Sequence, residues 1–233
     1  MNAIVTGATK GMGLSIVNHL AANNYNLALC SRSVTDLEKL KSGLVAKYPH
    51  LTVIVLAADC GDPEDVRLFA GFVSANFPFV DVLINNAGLF VPGKLMEEAE
   101  DVLQKQMQTN VFAPHYLSKY FGRKMQESGK GHIINICSIS SIKPTVSAGS
   151  YSISKMALLG LTKILRQELM PHGVKVTAVL PGSTLTSSWE GTSIPADRFV
   201  DPDDIAKAVI SCLSMSPGAN VDEIIVRPLR GDL

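Results

Sequence analysis

The chain has 233 residues, 46% of them hydrophobic and 18% charged, and its 21 basic and 21 acidic side chains cancel to a net charge of zero. That much apolar material supports a folded core of one large or two small domains. The balanced charge leaves no basic footprint for nucleic acid and no polybasic signal for a membrane surface. No apolar run approaches the ~20 residues needed to span a bilayer, and the amino end passes directly into strand-like sequence, so a cytoplasmic protein is expected. The four cysteines, Cys30, Cys60, Cys137 and Cys212, have neither C-x-x-C nor metal-ligand spacing. Buried reduced thiols and no metal site are expected of them.

Short apolar, β-branched runs recur at 3–5, 27–30, 52–57, 80–85, 132–137, 174–180 and 223–226, with helix-periodic segments such as Leu14-Ile16-Val17-Leu20 between them. Wholly apolar strands separated by helices mark a parallel sheet covered on both faces. The pattern predicts an α/β fold over residues 1–233: a single doubly wound, Rossmann-type domain with a seven-stranded, mainly parallel sheet.

The first run leads into "TGATKGMG", with Gly7, Gly11 and Gly13 opening the first helix. Glycine permits a tight turn there and lets a pyrophosphate approach the free N–H groups and positive dipole end of the helix. Gly13 is expected to allow close packing of that helix on the sheet. The second run ends in Ser31-Arg32, the third is followed by Asp59-Cys60, and the fourth runs into "NNAG", residues 85–88.

A long helical stretch is expected from about 97 to 127, holding Asn110 in "QTNVFAP". After the fifth run come Ser138 and then "GSYSISK", where one helical turn puts Tyr151 and Lys155 on a common face. The sixth run ends in "PGSTLT", residues 181–186, and the polar segment 183–200 that follows has the length of a lid over a site at the carboxyl ends of the strands.

In this order and spacing, the motifs resemble those of the short-chain dehydrogenase/reductase family over nearly the whole chain. The resemblance implies hydride transfer between a nicotinamide and a carbonyl or alcohol substrate, with Tyr151 as general acid and base. Lys155 would favour the phenolate by its charge, lowering a pKa that is ordinarily near 10, and would also bind the nicotinamide ribose. Ser138 would hold the substrate oxygen, and Asn110 would anchor a water relaying protons to Lys155.

The cofactor would lie against Gly7, Thr9, Lys10, Gly11, Met12 and Gly13. Asn85 would link neighbouring strands near the adenosine ribose, Ala87 and Gly88 would pass close to the cofactor, and Asp59 and Cys60 would border the adenine. Pro181, Gly182, Thr184 and Thr186 would meet the carboxamide and phosphates. Strand two ends in Ser31 and Arg32, not in the carboxylate that accepts from a ribose 2′-hydroxyl. With Lys10, these residues favour a 2′-phosphate and hence NADP(H).

The ending "EIIVRPLRGDL" departs from the family's Val-Asp-Gly-Gly-like segment, which argues against 3-oxoacyl-carrier-protein reductase, kept as an alternative. A non-catalytic dinucleotide-binding sensor is a second. The lone Trp189 in the lid could cover an apolar substrate or simply pack. The stretches 97–127 and 150–170 would form the subunit contact of a homodimer or homotetramer, although Leu158, Leu159, Leu161 and Leu165 could equally face the sheet.

Overall fold

A computed structural model describes residues 1–233. Seven strands form one parallel sheet: β1 (Asn2–Thr6), β2 (Asn26–Ser31), β3 (Val53–Ala57), β4 (Val82–Asn85), β5 (His132–Ile136), β6 (Lys175–Pro181) and β7 (Glu223–Val226). Their spatial order is β3-β2-β1-β4-β5-β6-β7, so the chain crosses from the β3 edge back to β4 beside β1. This reversal opens a crevice at the carboxyl ends of β1 and β4, where doubly wound sheets hold ligands. The fold expectation holds, with every pairing parallel.

The strands are nearly continuous apolar runs because both faces are covered. On β1 and β2, Ala3, Val5, Leu27 and Leu29 pack toward helices α1 (Gly11–Ala22), α2 (Val34–Lys47) and α7 (Pro202–Leu213). Their alternate neighbours Ile4, Ala28 and Cys30 pack toward α3 (Pro63–Asn76), α5 (Ala113–Ser128) and α6 (Gly149–Leu169). This is the period-two alternation of strand side chains. All four cysteines are buried and free. Leu158, Leu159 and Leu165 of α6 are buried too, so they belong to the core.

Several helix starts are explained by local chemistry. Ser33 caps α2, Asp62 with Pro63 caps α3, and Asp201 with Pro202 caps α7, each side chain accepting from a first-turn N–H. By contrast α1, which begins at the glycine loop, has no side-chain cap and no acidic residue in its first turn. Its leading N–H groups are left for something else.

The long helix expected from 97 starts later and is interrupted. Residues 97–101 form turns, and α4 (Val102–Met107) passes through a single π turn, Gln108–Phe112, into α5. Glu98 is drawn away toward the start of α6, where its Oε1 accepts from Ser150 Oγ, which accounts for the delayed start. The segment 183–200, expected as a lid, contains two short 3-10 turns and is pinned across its base by a Thr184–Val200 bridge. No helix is long and apolar enough to cross a membrane.

Candidate active site

The glycine loop between β1 and α1 is built by close contact. Gly7 and Gly11 have φ of +66° and +51°, the left-handed region glycine reaches without strain. A Cβ on Gly13 would sit 2.1 Å from the Gly7 carbonyl oxygen and 2.5 Å from Asn86 Nδ2. Gly13, in the first turn of α1, therefore lets the helix start close onto the ends of β1 and β4, in line with the expectation of close helix–sheet packing. The turn is stitched to β4 by Asn86, whose Nδ2 donates to the carbonyls of Thr6 (2.9 Å) and Gly7 (3.1 Å). Thr6 Oγ1 returns the tie by accepting from the N–H groups of Asn86 and Ala87.

The loop forms one wall of a cleft of about 1230 Å³. Gly7, Thr9, Lys10, Gly11, Met12 and Gly13 line it, as do Ser31, Arg32, Asp59, Cys60, Ala87 and Gly88. The hydroxyl of Ser31 is buried without a hydrogen-bond partner, beside an exposed Arg32. Asp59 is oriented by its own turn, Oδ1 accepting from the Gly61 N–H at 2.8 Å.

Some expected residues lie elsewhere. Asn85 does link neighbouring elements, donating to Asn135 Oδ1 (2.8 Å) and Ser118 Oγ (3.1 Å), but it is buried beneath the sheet surface and Asn86 lines the cleft in its place. Of the Pro-Gly segment only Thr186 reaches the cleft, together with Ser187 and Ser188. Pro181 is paired with Val226 inside the sheet. Gly182 faces the chain's last residues, where a Cβ would meet Asp232 Oδ1 at 2.6 Å. Thr184 is buried at the base of the 183–200 segment, its hydroxyl donating to the Gly182 carbonyl.

At the other end of the cleft, the first two turns of α6 carry Tyr151 and Lys155. Ser138 stands at the end of β5, where its Oγ accepts from Ser140 N–H as the cap of a 3-10 turn. Burial pushes the Tyr151 phenol up to about 12, opposed by a hydrogen bond with the Ser138 side chain. Burial also lowers Lys155 to about 8. Its Nζ donates to the Ile136 carbonyl at 2.9 Å and lies 5.8 Å from the centre of the Tyr151 ring. The expectation that the ammonium depresses the phenol is not met: burial is the largest influence on the phenol and raises it, and the phenol stays protonated near neutral pH.

Asn110 sits in the π turn and is fully buried. Its side chain closes a two-way tie with Leu89, accepting from the N–H (2.7 Å) and donating to the carbonyl (2.9 Å). It also donates to Ser154 Oγ, which donates to the Tyr151 carbonyl. Asn110 therefore fixes the loop after β4 to the helix carrying Tyr151. Trp189 packs edge-on against Phe199, with ring centres 4.9 Å apart, and does not line the cleft.

A sequence model of the short chain dehydrogenase family matches residues 1–194. An uncharacterised oxidoreductase of Staphylococcus aureus (strain N315) is 32% identical over 228 residues, covering 97% of this chain and 96% of the relative. This chain belongs to the short-chain dehydrogenase family. It is an oxidoreductase.

Solved structures of the family superpose on this dehydrogenase closely. An alcohol dehydrogenase from the archaeon Thermococcus sibiricus, complexed with 5-hydroxy-NADP, matches with a TM-score of 0.91 and 28% identity, over 100% of this chain and 98% of that one. A metagenomic short-chain oxidoreductase in complex with NADP matches at 0.84 and 30%, over 98% and 96%. L-Sorbose reductase from Gluconobacter frateurii, complexed with NADPH and L-sorbose, matches at 0.90 and 26%, over 97% and 95%.

Within the dehydrogenase, three residues that shape the site carry weak sequence signals. Asn86 is hidden in the Asn-Asn doublet, where only strand alternation separates the inward side chain from the one facing the cleft. Phe90 lines the cleft edge-on to Tyr151, with centroids 4.9 Å apart. Glu98 is one of several acidic residues in "MEEAED", and nothing in the sequence marks it as the one that reaches Ser150.

Proposed function

We propose that this dehydrogenase is an NADP(H)-dependent carbonyl reductase or alcohol dehydrogenase in which Tyr151 exchanges the proton. The observation that carries this reading is the Tyr151 phenol, hydrogen-bonded with the Ser138 side chain, and the Lys155 ammonium lining one end of a cleft whose other end holds the glycine loop and Arg32. The residues fit a dinucleotide phosphate. The start of α1 is uncapped, Gly7 and Gly11 make the turn that aims its N–H groups, and the buried Ser31 hydroxyl lacks a partner beside Arg32. Neighbouring structures with bound NADP or NADPH support the same choice.

A bound reduced nicotinamide supplies hydride to a carbonyl carbon. The chain's own residues deal with the oxygen. Ser138 hydrogen-bonds it, Tyr151 donates its hydroxyl proton as negative charge develops, and the Lys155 cation stabilises the phenolate left behind. A phenol held protonated near neutral pH is in the state that proton donation requires. In the reverse direction the phenolate accepts the alcohol proton.

The test is NADPH consumption across ketones, aldehydes and an acetoacetyl thioester, with Tyr151→Phe as the control. Turnover that falls at least ~100-fold in Tyr151→Phe is expected. NADPH binding without turnover of any substrate, unaltered in Tyr151→Phe, would mark a sensor instead.

A further inference from the structure

We infer that the substrate is an uncharged ketone or aldehyde with an apolar body, and that Phe90 is the specificity-determining side chain that receives it. The inference rests on the proposed role of Tyr151. Phe90 follows β4 closely enough to be fixed by the Asn110–Leu89 tie, so its ring is presented by a held backbone. The ring stands perpendicular to that of Tyr151 at 4.9 Å, yet remains 43% exposed. A large aromatic left open inside a cleft, touching the proton donor, offers surface to whatever approaches that donor.

The surrounding loops extend the apolar character. Gly93 bridges Ala148, and Leu95 lies against Gly149, 3.0 Å from where a Cβ would stand. This pairing joins the segment after β4 to the approach to α6, and it carries Met96 and Val146 at 89% and 79% exposure. Leu95 thus stands against Gly149, two residues before Tyr151, while Met96 and Val146 lie exposed on the flanking loops outside the cleft lining.

The charges of the site do not favour an anionic substrate. Lys155 is buried and committed to the Ile136 carbonyl. Lys105 is paired with Asp101 at 2.5 Å, and Lys94 with Glu97 at 2.8 Å. Lys10 and Arg32 belong to the glycine loop and the end of β2, and Arg198 of the 183–200 segment does not line the cleft. A carboxylate or phosphoryl group on the substrate would leave water beside Phe90 with no cation to meet it, an unfavourable transfer.

The experiment compares kcat/KM for benzylacetone, acetone, fructose and pyruvate with NADPH, in the wild type, Phe90→Ala and Phe90→Leu, with NADPH affinity followed separately by fluorescence. Benzylacetone is expected to be the best substrate. Its advantage over acetone should fall ~10-fold or more in Phe90→Ala and be largely kept in Phe90→Leu, with NADPH affinity unchanged in both. A preference for pyruvate or fructose, or an unaltered benzylacetone-to-acetone ratio in Phe90→Ala, would overturn the inference while leaving the Tyr151 reading intact. If Phe90→Ala does not fold, Phe90→Val takes its place in the same ratio. Absence of turnover on all four compounds, with NADPH still bound, would count against both.

Discussion

Ser150 donates its hydroxyl hydrogen to Glu98, a residue 52 positions earlier in the chain. That bond joins the loop after β4 to the first turn of the helix that carries Tyr151. α6 begins without a side-chain cap and without an acidic residue of its own in the first turn, so Glu98 brings negative charge to its positive dipole end from outside. Glu98 Oε2 is buried with no partner of its own. Glu98→Ala is expected to cost roughly 1–2 kcal/mol, in line with loss of a helix cap, and to lower kcat more than it alters NADPH affinity. Glu98→Gln keeps an acceptor for Ser150 and should cost about half as much. Thermal unfolding and steady-state kinetics on the two variants check the ranking, and a Glu98→Gln variant indistinguishable from the wild type would show that the charge is immaterial.

Two glycines provide a paired test of the loop. Alanine at Gly13 would drive a methyl to 2.1 Å from the Gly7 carbonyl oxygen, forcing the loop to open. Gly13→Ala is expected to destabilise by about 1–3 kcal/mol or more and to weaken NADPH binding at least ~10-fold. Gly43 lies exposed in the middle of α2 with nothing near its missing Cβ. Gly43→Ala should stabilise by roughly 0.5–1 kcal/mol through the loss of unfolded-state entropy. Chemical denaturation of both variants reads the two signs directly.

Arg32 is exposed at the rim of the cleft, next to the unpartnered Ser31 hydroxyl. Arg32→Asp would remove a planar cation suited to a 2′-phosphate and install an acceptor for a 2′-hydroxyl. The ratio of NADPH to NADH affinity is expected to fall ~10-fold or more, and to cross unity if Ser31 contributes little. Fluorescence titration with both cofactors measures it, and an unchanged ratio would remove Arg32 from cofactor selection.

The sheet was legible because its strands are buried on both faces and read as apolar runs, and because the glycine and Asn-Asn motifs fall at strand ends while the Tyr-Lys pair opens the helix after β5. Residues placed by long-range contacts were not. Asn85 and Asn86 are identical letters, and only their opposite orientations assign one to Asn135 and the other to the glycine loop. Gly182 resembles a cofactor contact in sequence, but the returning tail occupies its flank: Leu233 N–H donates to Ser183 Oγ, and Arg227 pairs with Asp232. The interruption before α4 follows from Glu98 reaching Ser150, which no local propensity encodes. Lys155 was expected to act on Tyr151 by charge alone. Spacing gives no measure of burial, and burial sets both groups' titration here.

His132 opens β5, buried and hydrogen-bonded through Nε2 to Thr177 Oγ1 at 2.8 Å. Burial lowers it from 6.5 to about 4, with Lys175 adding repulsion. Above pH 6.5 the ring is neutral in both folded and unfolded chains and adds nothing to the difference. As pH falls from 6.5 toward 4 the unfolded chain takes up the proton first, so stability is lost through that window. The full loss is about 3 kcal/mol at ~1.4 kcal/mol per pH unit. Denaturant unfolding of His132→Gln should show a shallower decline between those pH values than the wild type; parallel curves would assign the acid sensitivity to other groups.

Lys155 should give the opposite edge of the stability profile. It is almost wholly buried, and its pKa is lowered from 10.5 to about 8 by desolvation. Between those values the unfolded chain holds a proton that the folded chain has released, so stability rises with pH from about 8 upward. Tyr151 reverses the trend above its ordinary value of 10.0, because its folded pKa is raised to about 12 and the unfolded chain ionises first. The window that isolates Lys155 is therefore about pH 8 to 10, where the gain should approach ~2–3 kcal/mol. Lys155→Met removes the titrating group and should flatten the profile there, while raising stability below pH 8 by relieving a buried charge. Denaturant midpoints for the wild type and Lys155→Met across this range decide it. A wild-type curve that stays flat between pH 8 and 10, superposed on that of the variant, would mean that the ammonium is solvated in the folded protein and that its bond to the Ile136 carbonyl does not bury the charge.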